Sequence, residues 1–458
     1  MIRSAAIFFG LALALSGCAS APLEDTPTRA QIAESTLPPM KGFTTARPYA
    51  PARSNGNIAA DFLSLHFELE SGRELPILTR FETPITVRVT GSAIPPSLNS
   101  DLGRLLARLR REAGIDIQQV THENASVTIQ PVSRAEIRKA LPHAACFVVP
   151  NVSSFDEYRR DRRKSKTNWS NLQTRERLAI FLPNDSSPQE VRDCLHEELA
   201  QAIGPLNDLY RLPDSVFNDD NVHRVLTGFD MLVLRATYSP ELRSGMSRGE
   251  VAAVLPELLS RLNPRGNAIA STPVVKTPRS WIEDVQTAYG PRVKPEERIA
   301  AATRAAQTAE RMGWTDHRRA FSLYLLGLMT QSRDLRLSQQ YFGTALHYLA
   351  QTPGTEVHKA YITAQTAAYA LTQGDGATAL RQVRGQIETA ARAENAELLS
   401  TLMLLEAEGY DLAGQHDRAA SVRLDSVGWA RYGSGSDWAV RAKMQNIATL
   451  SPVQRFGG

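Results

Sequence analysis

The sequence predicts two folded parts, an α+β domain built on a twisted mixed sheet with helices, followed by an all-helical array. Three observations predict this. Between Asn57 and about Met246, alternating segments such as ITVRVTG (85–91) are interleaved with segments of helical period. From about Pro295 onward the strand signal stops and only helical period remains. Within that tail Gly374 and Gly414 stand 40 residues apart, each followed by an Ala-rich helix start. A length of 458 residues suits two or three domains better than one.

The elements follow in chain order. Arg3 and the apolar run from Ala5 to Leu15 have the make-up of an export signal, too short to cross a bilayer as a mature helix. Leu15-Ser16-Gly17-Cys18 then resembles a bacterial lipobox. That implies a signal over 1–18, cleavage before Cys18, and an acylated thiol that ties the chain to the membrane. Ala19 in place of aspartate after the cysteine resembles the sorting pattern of the outer membrane, facing the periplasm. Residues 19–56, with six prolines and no apolar period, are expected to be a flexible tether.

The α+β domain is expected over 57–246. SLNSDLGRLLARLRREAG (97–114) is amphipathic and stops at a glycine, and IDIQQV (115–120), ASVTIQPV (125–132) and RLAIFLP (177–183) are strand-like. SPQEVRDCLHEELAQAIG (187–204) opens on Ser-Pro and closes on glycine, as helices do. LTGFDMLVLRATYS (226–239) is a further helix. Residues 247–294 read as a linker with short helices, the first over 247–262. Residues 295–454 carry the array, whose helix pairs break at TQSRD, TQGDG and AGQHD. This resembles tetratricopeptide-type helical hairpins, with a plain bundle as the alternative.

Export to an oxidising compartment permits disulfides. With Cys18 acylated, Cys146 and Cys194 remain as an even pair, and a bridge between them is expected. It would pin the start of the 187–204 helix to HAACFVVP (143–150). The alternative is two buried free thiols.

Several chemistries lack their signatures. A net charge of +4 over this length gives no case for a nucleic-acid partner. No phosphate loop or dinucleotide fingerprint is present, no two histidines stand at i, i+4, and no serine lies in a nucleophile elbow. The run YRRDRRKSKTNWSNLQTRER (158–177) holds eight Arg or Lys against two acids. It reads as a solvated loop or as a patch facing anionic lipid, lipopolysaccharide or cell wall.

The helix at 187–204 carries the candidate chemistry. Laid on the pattern H-E-x-x-H-x-x-G-x-x-H, it puts Glu197 at the first ligand place, Glu198 at the general base and Gln201 at the second ligand. Gly204 takes the glycine and Asn207 the third ligand. Glu197 and Gln201 share a helix face, but every imidazole is replaced by a carboxylate or an amide. Downstream, PDSVFNDD (213–220) puts Phe217 where a methionine turn is expected, and LTGFDMLVLRATYSP (226–240) is similar to a closing helix. Together these resemble a metzincin-type domain, of zinc metallopeptidase ancestry, with a degenerate metal site. At closer range EELAQAIGPLND, SVFND, YSPELRSGM and the two cysteines resemble the proteobacterial putative-lipoprotein family known as domain of unknown function 2927, over roughly 57–246. That family carries no established activity.

Zinc prefers imidazole or thiolate, and amide oxygen is a weak ligand. Three readings follow. Glu197, Gln201 and Asn207 form a buried hydrogen-bond network in place of a metal. Or the chain is an atypical zinc-dependent envelope peptidase, with Glu198 as base and ligands borrowed from His196, Asp208 or His223. Or the helix is an ordinary core helix. The expectation is a non-catalytic envelope module without a cofactor, anchored by lipid, with a protein or peptide partner at the array.

Overall fold

The computed structural model describes residues 35–452. The expected signal, Cys18 and the first part of the tether lie outside the described residues. The chain divides into two compact units, and all that follows concerns the second, which begins at Leu37.

Five strands form one sheet: β1 (Ile85–Val89), β2 (Ile117–Gln119), β3 (Val127–Val132), β4 (Phe147–Pro150) and β5 (Leu178–Pro183), in the order β2-β1-β3-β5-β4. β1 pairs in parallel with β2 and β3, and β3 with β5, while β4 runs antiparallel along β5 as an edge. All six residues of β5 are buried, which its unbroken apolar sequence requires of a strand covered on both faces.

Leu178, Ile180 and Leu182 face the main core. That core is shared with α1 (Asn55–Phe67), α2 (Leu98–Ala113), α5 (Pro188–Ile203), α6 (Gly228–Thr237) and α7 (Arg248–Leu262). Ala179 and Phe181 face a smaller core with α3 (Arg134–Ala140) and α4 (Phe155–Asp161). Cys146 and Cys194 are bridged, which fastens α5 to the approach of β4.

Two expected boundaries move. α7 was assigned to a linker over 247–294, but Val251, Leu255, Leu258 and Leu259 place it in the main core against α1. The sequence predicts a flexible tether over 19–56. From Leu37 it instead lies along the fold as a strap. Phe43 stacks on Trp429 at 4.7 Å, and Arg431 donates to the carbonyl of Pro38 at 2.7 Å. Arg53 bridges Asp61 and Asp214 at 2.6 and 2.9 Å. The apolar anchor Phe43 stands alone in a proline-rich run, so no period announced it.

The remaining helices are α8 (Arg279–Tyr289), α9 (Pro295–Arg311), α10 (His317–Thr330), α11 (Leu335–Ala350), α12 (Glu356–Thr372), α13 (Gly376–Arg392), α14 (Ala396–Leu412), α15 (His416–Ser434) and α16 (Asp437–Ala448). From α8 to α16 each packs on the next. The 40-residue spacing in the sequence halves. Gly374, Glu394 and Gly414 all have positive φ, at 74°, 53° and 71°, and stand 20 residues apart. In each turn the following N–H donates to a carbonyl five residues back: Asp375 to Ala370, Asn395 to Ala390, Gln415 to Tyr410. Glu394 hid the middle turn by filling a place that favours glycine. Gly376 and Gly409 let α13 and α14 touch, since a Cβ on Gly376 would lie 2.7 Å from the Gly409 carbonyl.

Candidate functional site

α5 starts where Ser187 accepts a hydrogen bond from the Glu190 N–H and Pro188 takes the first turn. Its end is held from three sides. Arg175 is buried and donates to the carbonyls of Gln201 and Ala202 at 2.6 and 2.8 Å and to that of Gly204 at 2.5 Å. Tyr238 donates to the Ile203 carbonyl at 2.8 Å. Gly204 is needed because a Cβ there would lie 2.7 Å from the Leu234 side chain. Burial lowers the Arg175 pKa to about 10, which leaves it a cation at neutral pH.

The downstream segments meet this end. Leu209 donates its N–H to the Phe217 carbonyl at 2.9 Å, and the Phe217 side chain is fully buried. Asp230 on α6 accepts from the Thr227 and Val216 N–H groups and from the Ser215 hydroxyl. The turn at 215–217 is thus locked to the head of α6, beside the segment that leaves α5.

The expected network of Glu197, Gln201 and Asn207 is not formed. Among the described residues no hydrogen bond joins these three side chains. Asn207 spends its amide on the Ser64 carbonyl of α1 at 3.0 Å. Instead, carboxyls converge. Glu198 is buried, its Oε2 has no hydrogen-bond partner, and burial followed by the charges of Glu197 and Glu70 pushes its pKa well up. Glu197 keeps part of its side chain in solvent, and burial, then Asp219 and Glu70, raises it to about 8. Asp208 is pushed well up by burial, then by the charges of Glu70, Glu197 and Asp219.

Glu70 and Asp219 are exposed, yet desolvation raises both. Both are reachable by water yet crowded by protein. Tyr210 and Gln286 both donate to Asp219, at 3.0 and 3.2 Å. Sequence reading missed Glu70 and Asp219. They lie 127 residues before and 22 residues after Glu197, by subtraction, and nothing in ELESG or FNDD marks them.

The other proposed ligands go elsewhere, except Asp208. His196 is buried, and its Nδ1 accepts from the Leu226 N–H at 3.2 Å. Burial, then Arg192, Arg108 and Arg104, holds its pKa well below 6.5, so it is a neutral packing group. His223 donates from Nε2 to the Pro213 carbonyl at 2.9 Å, and its ring packs 6.0 Å from that of His358 on α12. Among the described residues no three His, Cys, Asp or Glu side chains are arranged to hold a metal ion. The Asn207 amide is turned to the Ser64 carbonyl, and an amide oxygen is in any case a weak zinc ligand. A cavity of about 160 Å³ lies away from these carboxyls, between the strap, Phe229 on α6 and the start of α12.

No curated protein and no solved structure matches this chain. A family model does match, over residues 55–257, from the head of α1 into α7. The span takes in the whole sheet, the carboxyl-lined end of α5 and the Phe217 turn, and it crosses the boundary once expected at 246. Over these residues the chain is similar to the family described as "Protein of unknown function (DUF2927)".

Proposed function

We propose that this is a lipid-anchored protein of the cell envelope, facing the periplasm from the outer membrane, in which a metzincin-like domain no longer performs hydrolysis. It serves with the helical array as a binding or scaffold module. The carrying observation is the state of Glu198. A zinc-activated water needs a tightly held ion and an ionised base beside it. Here the residue at the base position is buried, its Oε2 has no hydrogen-bond partner, and burial, then Glu197 and Glu70, disfavours charge on it.

The metzincin-like reading is supported by the strand and helix order ahead of α5, by the buried Phe217 turn beside its end, and by Tyr238 reaching back from the end of α6. The 20-residue turns support a stack of tetratricopeptide-like hairpins, which offers a concave surface to a protein or peptide. One observation favours an atypical envelope peptidase using Glu197, Glu198, Gln201 and Asn207: Glu197 titrates near 8, close to where a general acid works best.

Metal analysis of the purified chain separates the two. The scaffold reading expects substoichiometric zinc and an envelope phenotype in Glu198→Gln equal to wild type. One tightly held zinc per chain, lost in Glu197→Ala or Gln201→Ala, establishes the peptidase instead. Mass spectrometry of the processed N-terminus tests acylation of Cys18.

A further inference from the structure

The basic run at 158–177 is not a loose loop. α4 and two short 3-10 turns fold it against the sheet, with Tyr158 in the smaller core. α3 packs into the same core, so both helices cover one face at the β4 edge. Their C-terminal ends meet, because Arg162 donates to the Ala140 carbonyl at 3.3 Å. Each last turn is basic: Arg138 and Lys139 on α3, Arg159 and Arg160 on α4. Arg162, Arg163 and Lys164 continue the surface, and all seven are exposed.

The helix dipole accounts for a cation or two at a C-terminus. It does not account for residues beyond the helix, nor for the shortage of acids. Asp161 is already taken by Lys164 and Lys166, with Arg160 at 3.7 Å, and Asp156 lies 3.9 Å from Arg159. Among the described residues Arg138, Lys139, Arg162 and Arg163 have no acidic partner.

A series of contacts links the start of the strap to the head of α3. The Pro38 carbonyl is held by Arg431 on α15. α15 ends at Gly435, where a Cβ would lie 3.1 Å from the Ser187 Cα at the head of α5. Glu190, one turn on, pairs with Arg134 of α3 at 2.7 Å. Short contacts thus lead from the first residues of the folded unit to the patch.

We infer that the surface formed by the ends of α3 and α4 docks on anionic phospholipid headgroups, orienting the fold on the membrane that its N-terminus is proposed to be tied to. Each cation within a Debye length of an anionic surface adds attraction that salt screens. The inference rests on the anchored reading only for its choice of membrane over other polyanions.

The full-length chain and Arg138→Glu/Lys139→Glu/Arg159→Glu/Arg163→Glu are co-sedimented with two kinds of vesicle. One is phosphatidylcholine alone, the other phosphatidylcholine with one third phosphatidylglycerol. Any contribution from the N-terminus is common to both proteins, so the ratio of the two partitions isolates the patch. The wild type is expected to favour the anionic vesicles by about tenfold or more at low salt, and the variant, with an unchanged melting curve, to lose that preference. An equal preference in both proteins, or none in the wild type, overturns the inference. Heparin that holds the wild type at a salt concentration where anionic vesicles release it also overturns it, in favour of a soluble polyanion. Absence of acylation at Cys18 would sink the anchor without altering the vesicle ratio.

Discussion

The two halves of α5 sit in opposite charge. Its first turn pairs with Arg134 beside the basic surface, and its later turns carry Glu197, Glu198 and Gln201 toward the other carboxyls, roughly 11–17 Å away by helix rise. At the basic end the charged groups stand in water. At the acidic end crowding and desolvation push the carboxyl pKa values up, that of Glu197 to about 8. The difference teaches that a count of charges predicts a surface well and a cleft poorly, because burial decides which charges exist.

Four experiments can break or sharpen this contrast. The largest effect is expected from Cys146→Ser/Cys194→Ser, which frees α5 from the β4 side. Opening a loop with a sequence separation of 48 should cost about 4 kcal/mol in urea unfolding. A loss below about 1 kcal/mol would mean that α5 is fixed by its core contacts alone. Next comes Arg175→Met, which leaves the carbonyls of Gln201, Ala202 and Gly204 without their buried donor. About 3 kcal/mol should be lost.

Third is Glu197→Gln. The folded pKa, about 8, stands above the ordinary 4.5, so the folded chain holds this proton more tightly than the unfolded chain. That contribution is fully present below about pH 4.5 and is lost as pH rises through about 8. The variant should match wild type at pH 5 and exceed it by about 1–2 kcal/mol at pH 9, the partial exposure of Glu197 reducing the full effect. Parallel stability curves would show that the carboxyl is ionised throughout. The smallest effect belongs to Arg163→Glu, an exposed position beyond the last turn of α4, which should shift stability by less than about 0.5 kcal/mol. A larger loss would mean that this side chain braces the fold.

Much of the fold was legible from local pattern. The alternation at 85–91 became β1, the amphipathic run at 97–114 became α2, and Ser-Pro and glycine bounded α5. What was not legible depended on distant partners. β4 is four residues long and gains its identity only by lying along β5. α7 reads the same in a linker as in a core, and only α1 decides between them. At the site, the helix and its five motif residues were visible, but their chemistry was not. The carboxyl of Glu198 is governed by Glu197 and Glu70, and the amide of Asn207 by a carbonyl on α1. Neither Glu70 nor Ser64 stands near the motif in sequence.

The strap has a consequence in time. Phe43 finds its seat on Trp429 and Tyr432, nearly 400 residues later by subtraction, so no nascent chain can place it until almost all of the protein has been made. During synthesis the segment must stay loose, and its closure is among the last events of maturation. Closure thereby records that the C-terminal helices have arrived.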